Sequence, residues 1–149
     1  MRCKALGVIV LLALAAVARP QDDAAKKDLK QMEGTWAVVL EEISGQKAPE
    51  ESKKVDVKLT VKDGMYTVHF GDKQAATGTI KLDAGKTPRQ IDAIAADGQF
   101  KDKAMPGIYD VNGDTMLVCF AQPGKERPTE FRTKEGSGHM LFSYKRIKP

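Results

Sequence analysis

From Gly34 onward, short runs of β-branched and aromatic residues alternate with turn signals, whereas the segment before Gly34 is polar and helix-prone. The pattern predicts strands over residues 35–42, 55–62, 65–71, 76–82, 90–95, 107–111, 115–121, 130–133 and 140–147. No gap between them has room for a crossover helix, so the strands are expected to be antiparallel. In 55–62, Val55, Val57, Leu59 and Val61 alternate with Asp56, Lys58, Thr60 and Lys62. A two-residue turn at Asp63-Gly64 pairs Val61 with Tyr66, which places Tyr66, Val68 and Phe70 on the same apolar face. Asn112-Gly113 is a type I′ signal and predicts Val111 opposite Asp114 and Tyr109 opposite Met116. One face of that hairpin then carries Tyr109, Val111, Met116, Val118 and Phe120, and the other Ile108, Leu117 and Cys119. Both faces are apolar, so both are expected to be covered, the first set inside.

Met140, Phe142, Tyr144 and Arg146 share a face of the last strand, and Trp36, Val38 and Leu40 a face of the first. The fold class expected is all-β: a small antiparallel barrel of about eight to nine strands whose first and last strands are neighbours. Trp36 and Arg146 would then stack at its base. Residues 22–32 are expected to form a short helix, capped by Asp22 or Asp23, or else a polar linker. Leu29 and Met32 are its only apolar face.

The start of the chain has a different grammar. Arg2 and Lys4 precede an apolar run over residues 5–18 that is shorter than the roughly 20 residues a membrane span needs. With Ala16-Val17-Ala18 as the small-x-small site, residues 1–18 are expected to be a signal peptide, removed on export to the periplasm or the extracellular space. The expected organisation is signal peptide 1–18, linker or helix 19–31 and barrel 32–149, with no membrane span left after cleavage. Cys3 precedes the apolar run, so a lipoprotein is not indicated.

Charge adds little. The chain has 24 Lys and Arg against 20 Asp and Glu; without Arg2 and Lys4 the counts are 22 and 20, a net +2. Lys53-Lys54 and Lys101-Asp102-Lys103 are expected to be solvated loop clusters. No basic tract interleaves with aromatics, and nucleic acid is not an expected partner.

Several short stretches resemble a known family. Gly34-Thr35-Trp36 with a late Arg146 resembles the Gly-x-Trp and terminal Arg signature of lipocalins. Pro88-Arg89-Gln90-Ile91-Asp92, Gly107-Ile108-Tyr109 with Gly113-Asp114, Cys119-Phe120-Ala121 and Arg127-Pro128-Thr129-Glu130-Phe131, in that order, resemble a lipocalin-like domain family abundant in planctomycete bacteria. The resemblance spans residues 32–146 and implies a lipocalin-like barrel in an exported or envelope setting, but no activity. The family tends to have Lys-Gly-Lys before Gly-Ile-Tyr; here the middle residue is Asp102.

The two histidines, His69 and His139, lie in no metal-binding motif, and no serine lies in Gly-x-Ser-x-Gly. Cys119, mid-strand among apolar neighbours, is expected to be a buried inert thiol. An enzyme is therefore not expected, nor a cofactor or metal. Asp92 interrupts an apolar strand and Arg127 precedes Pro128 in a loop; the pair is expected to pin that loop to the barrel, with a polar anchor for a ligand as the alternative. Tyr66, Phe70, Tyr109, Phe120, Phe142 and Tyr144 are the candidate ligand-binding residues, set to line an aromatic interior. Two functions stay open: an exported, non-enzymatic binding domain for a small apolar ligand, or an envelope interaction or structural domain with a filled core. The protein partner is unspecified.

Overall fold

A computed structural model describes residues 19–49, 51 and 56–149. The signal peptide expected over 1–18, Lys53-Lys54 and the start of the second expected strand at Val55 lie outside the described residues. The elements are a helix α1 (Pro20–Met32) and strands β1 (Gly34–Ile43), β2 (Gln46–Lys47), β3 (Val57–Lys62), β4 (Met65–Phe70), β5 (Lys73–Asp83), β6 (Gln90–Ala95), β7 (Ala104–Asn112), β8 (Thr115–Phe120) and β9 (Met140–Arg146). Every pairing is antiparallel, in the order β1-β3-β4-β5-β6-β7-β8-β9, and β9 returns to β1. The result is a closed eight-stranded barrel, with β2 as a short extra strand on the end of β1.

The β3–β4 hairpin has the register its alternation predicts: Val61 opposite Tyr66 and Lys62 opposite Met65. Asp63 and Gly64 both have positive φ, 50° and 73°, as a type I′ turn requires. The β7–β8 hairpin departs from expectation. Asn112 pairs with Thr115, Val111 with Met116 and Tyr109 with Val118, so the turn is Gly113-Asp114. Gly113 has φ 58° while Asn112 does not enter the left-handed region, which matches the type II′ position of Gly. Neighbouring groups hold the turn there. The Asp114 carbonyl accepts from the Arg146 backbone N–H, and its carboxylate pairs with Arg146 and Lys148. Partners move by two residues, so each side chain keeps its expected face.

The expected strand at 130–133 does not form. β8 already pairs with β7 on one edge and β9 on the other, so closure leaves no edge for it. The segment crosses the outside of the barrel instead. There Phe131, like Leu40 and Leu117, packs against the cluster of Ile108, Cys119 and Leu141. The Thr133 hydroxyl accepts from the Gly45 N–H at 2.8 Å and donates to Glu42. This covering explains why both faces of β7–β8 are apolar.

The helix begins two residues before the expected Asp22. Arg19 is its N-cap and makes no side-chain cap, and Pro20 occupies the first turn, where its missing N–H costs nothing. Asp22 and Asp23 lie within that first turn, where negative charge suits the helix dipole, rather than capping it. Met32 and, unexpectedly, Asp28 are buried against the barrel. Among the described residues, no helix is long and apolar enough to cross a membrane.

Candidate functional site

The two ends of the barrel differ. At the base, where β1 begins and β9 ends, Trp36 pairs directly with Arg146. The guanidinium lies 4.2 Å above the indole ring centre, and Trp36 is fully buried. Both side chains also terminate α1. Trp36 Nε1 donates to the Met32 carbonyl at 2.8 Å, and Arg146 donates to the carbonyls of Gln31 and Glu33, each at 2.5 Å. These are carbonyls at the end of the helix, which the helix itself does not satisfy. On the same side Asp28, 7% exposed, accepts from the Tyr109 hydroxyl at 2.7 Å and from Arg89 Nη1 at 2.8 Å. Arg89 also pairs with Asp110, and its guanidinium lies 5.0 Å over the Tyr109 ring. Burial, then the bond to Asp28, pushes the Tyr109 phenol pKa upward. The helix therefore seals the base through a connected set of polar contacts.

Above this base lies a cavity of about 290 Å³. Its wall combines aliphatic side chains, including Val38, Leu59, Ile91 and Val118, with Met105, Met116 and Met140. Five of the six aromatic residues proposed from sequence line it: Tyr66, Phe70, Phe120, Phe142 and Tyr144. Tyr109 does not. It is 1% exposed and belongs to the base, because its hydroxyl is drawn to Asp28. Phe142 and Tyr144 stack with ring centroids 6.0 Å apart.

Two glycines make room for rings in this wall. A Cβ at Gly78 would fall 2.7 Å from the Tyr66 hydroxyl and 2.1 Å from the Ile94 carbonyl oxygen. One at Gly107 would meet the Phe120 ring at 2.6 Å. Each aromatic ring therefore covers a strand position that has no side chain of its own.

Glu41 is a lining residue that the alternation of β1 hides. Val38 pairs with Tyr144 but Leu40 pairs with Ser143, so Val39 is a bulge residue. The bulge reverses the faces beyond it. Leu40, expected with Trp36 and Val38, turns outward onto Ile108 and Leu141, while Glu41 pairs with Phe142 and faces inward. The sequence signal was the unbroken apolar run Val38-Val39-Leu40, which no strict alternation accommodates. Asp28 and Arg89 were missed as well, since nothing distinguishes them from their charged neighbours.

The other singled-out residues lie outside the cavity. Arg127 Nη2 donates to Asp92 Oδ1 at 2.8 Å, and its Nη1 donates to the carbonyls of Ile91 and Gly107. The loop after β8 is thereby pinned to the outside of β6 and β7. Cys119 is fully buried under Phe131, and burial pushes its thiol up to about 11. Asp102 has φ 61°, a left-handed conformation that Gly adopts freely, at the position where the resemblance leads one to expect Gly. Among the described residues no cluster of His, Cys, Asp and Glu has the makings of a metal site.

Fold and site together define a closed antiparallel β-barrel with an apolar, aromatic-rich cavity above a helix-sealed base. No protein-family model, curated protein or solved structure matches the chain.

Proposed function

We propose that this protein is an exported, non-catalytic binding domain that holds a small apolar ligand inside its barrel. The observation that carries the reading is the cavity of about 290 Å³, whose lining is almost entirely hydrocarbon and aromatic ring. Eight-stranded barrels are narrow enough for side chains to fill. A cavity near the lower end of the usual range of about 300–1,000 Å³ therefore suits a small guest. Burying the guest's apolar surface supplies the affinity, at roughly 25 cal/mol per Å² before the costs of association. Export is supported by the basic start, apolar run and Ala16-Val17-Ala18 of residues 1–18. Membership of the lipocalin-like family is supported by the Trp36–Arg146 stack, which joins the two ends of the motif that suggested it.

Titration with the apolar dye N-phenyl-1-naphthylamine tests the binding reading. The expected result is a saturable rise in dye emission at one dye per barrel. Ala76→Trp, which fills the cavity from its wall, should abolish the rise while circular dichroism stays unchanged. No saturable signal from the parent protein, or a signal indifferent to the substitution, contradicts the proposal. For export, N-terminal sequencing of the protein outside the cytoplasm should begin at Arg19; a start at Met1 contradicts cleavage.

A further inference from the structure

Glu41 is the one carboxylate among the described residues that line the cavity. It also borders the outer groove beneath the β1–β2 hairpin, together with Ile43, Lys47 and Glu135, which places it where the interior meets the surface. No described residue forms an ion pair with it. Lys47, its neighbour along the groove, makes none with a described residue. The hydroxyls of Tyr66 and Tyr144 likewise have no hydrogen-bond partner among the described residues, in contrast with Tyr109. Yet no fully buried side-chain oxygen or nitrogen in the described residues lacks a partner. With no partner among the described residues, the hydroxyls of Tyr66 and Tyr144 face the cavity their residues line, and the Glu41 carboxylate faces both the cavity and the outer groove. Glu41 also affects its neighbour: after burial, its negative charge is the next cause of the raised Tyr144 pKa.

We infer that the barrel selects small amphiphiles whose polar end is a protonated amine. The apolar tail enters first and the ammonium stays at Glu41. This rests on the binding reading above and adds the ligand's chemical class to it. An ammonium taken from water into an apolar vessel needs an anion at the point where it stops. Glu41 supplies that anion at the boundary, directly opposite Phe142 across the β1–β9 pair. Phe142 and the stacked Tyr144 also offer ring faces to a cation held there. A carboxylate-headed guest of the same length meets like charge at that point, and an alcohol meets neither attraction nor repulsion of this kind. The bulge at Val39 is what produces this selectivity. A regular strand would put Leu40 inside and Glu41 outside.

Calorimetric titration of the full protein with octylamine, octanol and octanoate at neutral pH and low salt tests the assignment. Octylamine should bind about tenfold or more tightly than octanol, and octanoate more weakly than both. Glu41→Gln, which keeps the shape of the side chain, should bring octylamine to the affinity of octanol and leave octanol unchanged. Unaltered Trp36 emission would show that the variant is folded. Equal affinities for the three guests, or an amine preference that survives Glu41→Gln, overturn the amine assignment and leave the binding reading standing. Failure of all three guests to bind, with no dye binding either, overturns both.

Discussion

The base of the barrel and the cavity wall above it are made of similar residues used in opposite ways. At the base Trp36, Tyr109, Asp28, Arg89 and Arg146 satisfy one another and the end of the helix. Along the cavity wall Glu41, Tyr66 and Tyr144 carry the same kinds of polar atom with no partner among the described residues. A buried hydrogen bond stabilises modestly, whereas a buried group left without its partner costs the full desolvation. The base therefore belongs to folding. The cavity wall keeps its polar atoms affordable by leaving them open to the interior, where a guest can engage them. Tyr109 and Tyr144 make the comparison sharpest: both are buried phenols on the inner face, and among the described residues only Tyr109 has an acceptor.

Mutations should separate the two regions by stability. Trp36→Ala should cost about 3–5 kcal/mol in urea unfolding, through the loss of a large buried ring. Arg146→Ala should cost less, and a double-mutant cycle should show coupling above about 0.5 kcal/mol. Coupling near zero would remove the stack as a structural element. Asp28→Ala should cost about 2–3 kcal/mol, because the Tyr109 hydroxyl and Arg89 lose a charged acceptor together. A loss below about 0.5 kcal/mol would mean that the helix does not seal the base. Tyr109→Phe should cost about 1–2 kcal/mol, while Tyr144→Phe and Tyr66→Phe should stay within about 0.5 kcal/mol of the parent. Equal losses at Tyr109 and Tyr144 would erase the distinction between base and cavity wall.

The outer face adds a pH dependence. The Cys119 thiol is raised from 9.0 to about 11, first by burial. A group whose folded pKa is raised contributes stability that is fully present below its unfolded pKa and is lost as pH rises through the folded one. The urea midpoint should therefore hold up to about pH 9 and fall between pH 9 and 11. The raised phenols of Tyr66, Tyr109 and Tyr144 act in the same direction from about pH 10 upward. Cys119→Ala should make the early part of that decline shallower; an unchanged pH profile would argue against burial of the thiol.

Much of this architecture is legible in the sequence because alternation is a two-valued signal that tolerates small errors. The β7–β8 turn lies one residue beyond Asn112-Gly113, yet every inward residue of the hairpin still points inward, since the pairing shift is even. The Val39 bulge is an odd shift, and it reversed Leu40 and Glu41. Local pattern cannot reveal it, because Val38, Val39 and Leu40 are all apolar and either face accepts them. Residues 130–133 look like a strand, but only barrel closure decides that no edge awaits them. The hairpin to β2 depends on Ser44 and Gly45 both adopting positive φ, 49° and 81°, and Ser gives little warning of that. Asp28 is one charge in a charged helix until Tyr109, far away in sequence, is brought beneath it. The aromatic lining was largely legible because it follows alternation. The carboxylate in the cavity wall was not, because it follows the bulge.

The methionine methyl groups report most directly on whether the barrel takes a guest above a sealed base. Met105, Met116 and Met140 line the cavity, Met32 is buried at the base and Met65 is 51% exposed outside it. In a ¹³C-methyl spectrum recorded during titration with octylamine, the signals of Met105, Met116 and Met140 should shift together and saturate, while Met32 and Met65 stay fixed. A titration that leaves the three lining methyls unmoved, or that moves Met65 as much as Met116, would contradict a guest inside the barrel.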